Sequence, residues 1–445
     1  MANKVNKVAS KGRSIKVDSK LVRYLIAIPV VVFLIKVIIV FNIPQGAWLG
    51  ADGENYTGGV DGLLKDGFFS KESKLSYWPA GYPLLLWMFA KISISNFFFL
   101  ISIVQSLFFA YATYYFTSQL RKSSIKYLAF ITTILISLNP TLSLSTLAVG
   151  YEAPIAACFM MVFGLAIKYH SAKRNRRFWI AVASMAAWFG LAILMQPRFL
   201  LAGFIFMGYW AYTLKSRKIT SLAIALSLLI MLISPGIMMY RNSKAINQAT
   251  ISTNLGVNMA IGAGEDTKGG YNHTGPDVPC EPTPPSKVVT DNQRVICVIK
   301  WSLSNPVTTL KLAFNKSQYF WSPWSGPLGE GTMARNPWLK IAPTKNIAST
   351  QDGYDFIYGG FGKLVSYGWI LGQLFLLFWG YRVLRKRGTF EKIVANLSLI
   401  PIVTSWLISI GTFGDHRFRV PIMCMSLFLQ AAGFMALKEK ISKAL

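Results

Sequence analysis

The sequence is poor in charge. Only 14% of its 445 residues are Asp, Glu, Lys or Arg, against 53% hydrophobic residues, and the mean hydropathy is +0.41. That much apolar surface exceeds what a soluble core of this length can bury, which excludes a soluble globular protein and indicates a polytopic membrane protein. Cysteine is scarce, with four in the chain. Cys158 and Cys424 fall in apolar stretches, where a thiol serves as filler. Cys280 and Cys297 share one long polar segment and are the candidate disulfide pair, which would stabilise that segment by about 3 kcal/mol. No Cys-x-x-Cys or paired His–Cys spacing suggests zinc, and no G-x-x-x-x-G-K-[ST] segment supports ATP-driven transport. No internal repeat stands out. A cleavage site is lacking too: the first apolar run, Tyr24 to Phe41, follows a polar tail without small-residue processing signals, so it is expected to remain as a span.

Basic residues are plentiful, and the net charge is +28. Their placement excludes nucleic acid as the partner, because they cluster in short segments rather than along one face interleaved with aromatics. These are the tail from Lys4 to Arg23, Arg121-Lys122 with Lys126, Lys173 to Arg177, Lys215 to Lys218, Arg385 to Arg387, and Lys438 to Lys443. By the positive-inside rule they mark cytoplasmic loops, and attraction to anionic lipid accounts for them.

At roughly 17 to 25 apolar residues per span, the chain is expected to be an all-α polytopic bundle of about ten helices. They fall near 24–41, 95–118, 127–141, 149–168, 178–196, 199–214, 219–238, 364–382, 393–411 and 420–437. An even number leaves both termini in the cytoplasm. The expected division is a basic tail (1–23), an N-terminal transmembrane module (24–238) whose first outer loop is 42–94, an outer lid (239–363) and C-terminal helices (364–445). Pro83 to Ile92 is too short to cross and reads as a juxtamembrane helix at the outer interface. A structureless lid of that length is improbable, so short helices are expected near Asn292 to Leu303 and Val307 to Phe320.

Asp52 and Glu54 lie just beyond the first span. A carboxylate there could take a proton from an acceptor hydroxyl, although position alone favours a solvated loop acid. Glu152, near the outer end of an apolar span, requires a partner such as Arg198 or an arginine of the last hairpin. Lys36 reads as a snorkelling residue and His170 as solvated. His416 adjoins Asp415 and Arg417, and Tyr319-Phe320-Trp321-Trp324 reads as an interfacial aromatic belt. The glycines from Gly256 to Gly270 read as a flexible loop.

Six features in one order resemble the GT-C-type polyprenyl-phosphate-dependent glycosyltransferases, in the branch of protein O-mannosyltransferases and the aminoarabinose transferase of lipid A (glycosyltransferase family 39-like). An Asp followed by a Tyr after the first span is matched by Asp52 and Tyr56. A Pro-Gly-Tyr-Pro motif before the second is matched by Trp78-Pro79-Ala80-Gly81-Tyr82-Pro83. A Glu early in the fourth is matched by Glu152 in Gly150-Tyr151-Glu152-Ala153, and a Pro-Arg pair by Gln196-Pro197-Arg198. After the seventh span come Pro235 to Asn242, with Arg241, and Ser252 to Gly262. The Arg-x-Arg-x-Pro element is Arg417-Phe418-Arg419-Val420-Pro421.

The resemblance implies a GT-C-like bundle with outer juxtamembrane helices, acting on the outer face of a bacterial cytoplasmic (inner) membrane. A polyprenyl-phosphate-linked sugar would be the donor and a cell-envelope glycan, lipid or protein the acceptor. Asp52 would be the catalytic base for inverting transfer. Tyr56, Trp78, Tyr82, Glu152, Arg198, Arg241, Arg417 and Arg419 would contact substrate, the arginines holding phosphate. No cofactor is implied, and a divalent metal is left open. Trp78 departs from the family, which has a charged residue there, and no large C-terminal soluble domain is expected after the last span. The competing readings are a lipid-linked saccharide transporter or flippase, and an envelope polysaccharide polymerase.

Overall fold

The computed structural model describes residues 19–42, 52–271, 280, 290–322, 344–353 and 359–444. Among them the chain is all-helical, apart from one isolated bridge between Gly270 and Gly414. Eight helices are long and apolar enough to cross a membrane, which makes this a polytopic membrane protein. They are α1 (Ser19–Asn42), α5 (Phe97–Leu120), α8 (Glu152–Tyr169), α9 (Arg176–Met195), α11 (Arg217–Ala245), α16 (Gly360–Arg387), α17 (Thr389–Gly411), and the 3-10 turn His416–Ile422 running into α18 (Met423–Ala444). The two other predicted spans are helical but differ in form. The first is broken into α6 (Leu128–Leu138) and α7 (Pro140–Leu144), bent by 54°; the second, α10 (Phe199–Tyr212), has only 14 residues. The break has a local cause: Asn139 accepts from the Leu142 amide at 2.8 Å and Pro140 sits at the first helical position, so the chain starts a new helix there.

Two spans, α8 and the last one, are buried along most of their length. Aromatic side chains interlock around α8. Phe163 meets Phe116 and Phe206 edge-on, and Phe159 meets Phe189 and Phe199. Backbones approach closely where glycine allows. A Cβ on Gly380 of α16 would lie 1.9 Å from the Leu429 carbonyl oxygen of α18, and one on Gly433 would lie 2.2 Å from that of Leu376.

The two ends of the bundle differ in chemistry. At the basic end Glu391 of α17 accepts from the Ser124 amide at 2.8 Å, and Arg387 pairs with Glu439. His170 meets the Thr213 hydroxyl at 3.1 Å, so it is tied to a neighbouring loop rather than solvated. Lys36 does not snorkel: it is 2% exposed, with its ammonium 4.8 Å from the Phe109 ring centroid.

At the opposite end, after the first span, lie α2 (Gly53–Asp66), α3 (Lys74–Tyr77) and α4 (Gly81–Ile92), the last being the predicted juxtamembrane helix. Gly59 and Gly62 of α2 leave room for Leu75 and Glu72, and Gly81 abuts the Leu194 carbonyl. Arg241 of α11 is the strut that holds this segment. Its guanidinium donates to the carbonyls of Phe68 (3.3 Å), Leu75 (3.0 Å) and Ser70, and to Asn242 Oδ1 (2.6 Å).

The segment between α11 and α16 contains α12 (Leu255–Ile261), α13 (Asp291–Ser304), α14 (Pro306–Trp321) and α15 (Thr344–Ser349). Cys280 and Cys297 are joined by a disulfide, and Asp291 accepts from the Gly256 amide at 2.7 Å. The glycine stretch is a place of close approach, not a flexible loop. Gly262 leaves no room for a Cβ beside the Thr412 carbonyl, and the Gly414 amide donates to Gly269 at 2.8 Å. Helix α14 is fastened to α17 by Lys316, donating to the Ile410 carbonyl at 3.0 Å, and by Trp406, donating to Ser317 at 3.0 Å.

Two outcomes follow for stability. Gly380→Ala should cost about 1–3 kcal/mol by overpacking, whereas Gly368→Ala, in the same helix with open space around it, should be neutral or gain up to about 1 kcal/mol. Thermal unfolding of the purified protein followed by size-exclusion chromatography would separate them. Burial lowers the Lys316 ammonium from 10.5 to about 8. Between those values the unfolded chain holds a proton that the folded chain has released, so stability rises with pH through the window, and the penalty of burying the charge is fully present below it. The melting temperature of the wild type minus that of Lys316→Met should therefore increase between about pH 7 and about pH 10; a flat difference would show an amine that is not desolvated.

Candidate functional site

The site is built on a buried guanidinium. Arg417 lies in the 3-10 turn between α17 and α18, and Asp415 fixes that turn by accepting from the Arg417 amide at 2.8 Å. Nη2 of Arg417 donates to Asp52 Oδ2 at 2.6 Å and to the Tyr151 hydroxyl at 2.9 Å. Its Nε lies 3.5 Å from Glu152 Oε1, an ion pair within a site where the Glu152 side chain is 2% exposed. Glu152 opens α8, whose N-terminal amides favour a carboxylate. Asp52 stands at the N-cap of α2, the position where an aspartate ordinarily caps its own helix, yet it makes no such bond. Its Oδ2 is turned to Arg417 instead.

Arg198 completes the cluster. Its guanidinium lies 4.3 Å from the Phe418 ring centroid and 5.6 Å from that of Tyr151, while Arg417 lies 5.7 Å from the same Tyr151 ring. The two cations thus share one aromatic ring. Nε and Nη2 of Arg198 are buried with no hydrogen-bond partner among the described residues, and Glu152 Oε2 is likewise unpartnered. Gly150 makes the room for that oxygen, since a Cβ there would lie 2.5 Å from it.

Two tyrosines frame the cluster. The Tyr82 hydroxyl accepts from the Gly150 amide at 2.9 Å and donates to Gln105 at 3.2 Å. Both of these bonds are internal, and the first ties Tyr82 to the backbone that leads into Glu152. Tyr56 is buried edge-on against Tyr82 and Tyr151, with ring centroids at 5.2 and 6.1 Å. Burial pushes its phenol well above the ordinary value, and the nearby Tyr151 and Asp52 push it further. Burial raises Tyr82 as well, with Glu152 adding to the effect. Both remain neutral hydroxyls.

The structure therefore brings together Asp52, Tyr56, Glu152, Arg198 and Arg417, with Tyr82 beneath them. It does not bring in Arg241, which reaches backbone carbonyls of the 67–76 segment and Asn242 and belongs to the framework. Arg419 is buried and turned toward the Ser322 carbonyl (3.4 Å) and the Trp321 ring (5.8 Å). Trp78 stacks at a tilt on Tyr77, with centroids 4.4 Å apart, and packs against the main core. Glu54 is exposed, and His416 faces Asp415 at 3.4 Å. Trp324 lies outside the described residues. Tyr151 was missed by the sequence reading, although it adjoins Glu152 in the same tetrapeptide. Asp52 and Glu152 are the carboxylates available to a cation, with Arg417 between them; among the described residues no group of three or more His, Cys, Asp or Glu gathers.

No family model matches the sequence, and no curated protein is detectably similar to it. Among solved structures, the archaeal oligosaccharyltransferase AglB from Archaeoglobus fulgidus, in complex with an inhibitory peptide and a dolichol-phosphate, aligns at 12% identity with a TM-score of 0.49, over 95% of this chain and 52% of that one. The Archaeoglobus fulgidus oligosaccharyltransferase tethered to an acceptor peptide aligns at 14% identity with a TM-score of 0.49, over 94% of this chain and 50% of that one. The chain spans about half the length of each.

Proposed function

We propose that the protein is a GT-C-type membrane glycosyltransferase that moves a sugar from a polyprenyl-phosphate donor to a cell-envelope acceptor. The observation that carries this reading is that Arg417 holds the carboxylate Asp52 in the same cluster in which the buried guanidinium of Arg198 keeps two donors without a partner among the described residues. A lipid phosphate leaving group is an anion, and two buried donors of one planar fork suit its oxygens. Asp52 retains Oδ1, which makes no hydrogen bond among the described residues and is free to receive a proton.

In this reading the acceptor hydroxyl or amine attacks the anomeric carbon of the sugar. Its proton passes to Asp52 and the bond from that carbon to the phosphate oxygen breaks, with inversion. The polyprenyl phosphate departs with the bonding electrons, and the charge developing on its oxygens is met by Arg198. Arg417 aligns Asp52 and holds Glu152, and Tyr56 and Tyr151 wall the site. Trp78 and Arg419, at its margins, are proposed to touch sugar and lipid phosphate respectively. By the positive-inside rule the basic end would lie in the cytoplasm and the site at the outer face, and the resemblance makes a bacterial inner membrane the proposed location.

A lipid-linked saccharide transporter draws support from buried Lys36 and the broken α6–α7 span. It leaves the Asp52–Arg417–Glu152 cluster at one end of the bundle without a task, and so ranks second.

Reconstitution with a panel of polyprenyl-phosphate sugars tests the proposal. Asp52→Asn should lower transfer by about 10²–10⁴-fold in protein that still purifies as a folded, monodisperse species, with a lowered melting temperature because Arg417 loses an anionic partner, and near-normal turnover by that variant would remove Asp52 from its role. Arg198→Ala should reduce kcat as well as raise the donor KM, because the phosphate charge grows in the transition state; an increase confined to KM would assign Arg198 to ground-state binding alone.

A further inference from the structure

Two helices of the segment between α11 and α16 turn apolar side chains away from the protein. On α13 these are Ile296, Ile299 and Leu303; on α14 Val307, Leu310 and Phe314 are 82%, 74% and 65% exposed. Neither helix is among those long and apolar enough to span. A helix standing in water gains nothing from such a stripe, and contiguous exposed apolar surface marks a place of contact.

The other side of α14 is already committed. Leu312, Lys316 and Phe320 are buried, Ser317 receives the Trp406 indole, and Lys316 reaches the Ile410 carbonyl. At about 100° per residue, Leu310, Phe314 and Val307 lie roughly 20°, 60° and 80° round the helix from Ser317, whereas Lys311 and Asn315 lie roughly 120° and 160° away. The apolar stripe therefore begins beside the edge that touches α17 and gives way to a polar face.

What lies against that edge of α17 identifies the occupant. Helix α17 is a membrane span, and Leu407, next to Trp406, is 53% exposed on it. Trp406 sits five residues inside the Gly411 end of that span, about 7.5 Å along its axis, so α14 is held at the depth of the membrane boundary rather than above it. The exposed stripe continues a lipid-facing surface. The exposed lysines Lys300 and Lys311 flank the stripes, where their stems can lie along apolar surface with the ammonium among lipid headgroups.

We propose that the α13–α14 hairpin is docked on the bilayer, with Val307, Leu310 and Phe314 inserted in the acyl region of the leaflet at the site end and Lys311 at headgroup level. The partner is the lipid leaflet itself. At its far end α14 carries Phe320, which packs with Phe413 and Phe418 beside Arg417, so one rigid element joins that leaflet to the site. The proposal stands whether or not the chain transfers a sugar.

Spin labels at Leu310→Cys, Phe314→Cys, Lys311→Cys and Asn315→Cys, in full-length protein in lipid nanodiscs, test it. The remaining free thiols, Cys158 and Cys424, are buried, and Cys280 and Cys297 are bridged. Labels at Leu310 and Phe314 should be relaxed far more by oxygen, which partitions into acyl chains, than by an aqueous nickel chelate, with the ratio falling several-fold at Lys311 and Asn315. Equal relaxation of all four by the nickel chelate would overturn the proposal, because the stripe would then stand in water. Immobile labels at Leu310 and Phe314 reached by neither agent would also overturn it, by showing a protein surface, such as a second copy of the chain, covering the stripe.

Discussion

A guanidinium buried at the end of a membrane bundle needs acceptors in place of water, and Arg417 is the one met by two carboxylates. The cost of desolvating a guanidinium is several kcal/mol and is offset only by well-placed partners. Here Asp52, Tyr151 and Glu152 supply them from two chain segments far removed from it. The arrangement binds both ways, since losing the arginine would strand two carboxylates in a site with little water. It also explains why Asp52 leaves its own helix uncapped: the charge-assisted bond to Arg417 is the stronger of the two available to it. Asp415 behind Arg417, and Tyr82 behind Gly150, hold the backbones at the separation this pairing requires.

Much of this architecture is legible in the sequence because it depends on composition averaged over a helix length. All ten apolar helices fall close to their expected positions, as do α4, α13 and α14. What composition does not reveal is geometry within a helix: the Asn139-Pro140 break and the shortness of α10 lie inside stretches as apolar as their neighbours. Helix α2 escaped notice for a related reason. Its glycines at 58, 59 and 62 lower helix propensity, but their use is steric, since they admit Lys74, Leu75 and Glu72 against the helix.

The candidate site was legible in part. Glu152, Arg198 and Arg417 stand out as ionisable residues at the ends of apolar runs, where charge is costly without purpose, whereas Asp52, in a polar loop, is singled out by the resemblance and not by its position. Arg241 stands out on the same grounds, and only its carbonyl partners, more than 160 residues away in the chain, show that it serves the framework. Tyr151 and Tyr82 show the converse limit. A tyrosine in an aromatic-rich membrane protein carries no mark of whether its hydroxyl is spent on the fold or turned to the site. Lys36 is similar: whether such a side chain escapes to the interface depends on the neighbouring helices that close over it.

The Arg417–Asp52 bond joins residues 365 positions apart, and this has a bearing on how the protein is made. Some 365 residues must be added after Asp52 before Arg417 exists to meet it, so Asp52 and Glu152 enter the membrane without their counter-charge. Until the last hairpin arrives they can remain only protonated, wet or held by a temporary partner. Competence is thus acquired in a single late event, and a chain whose synthesis stops early carries the acids of the site but no site.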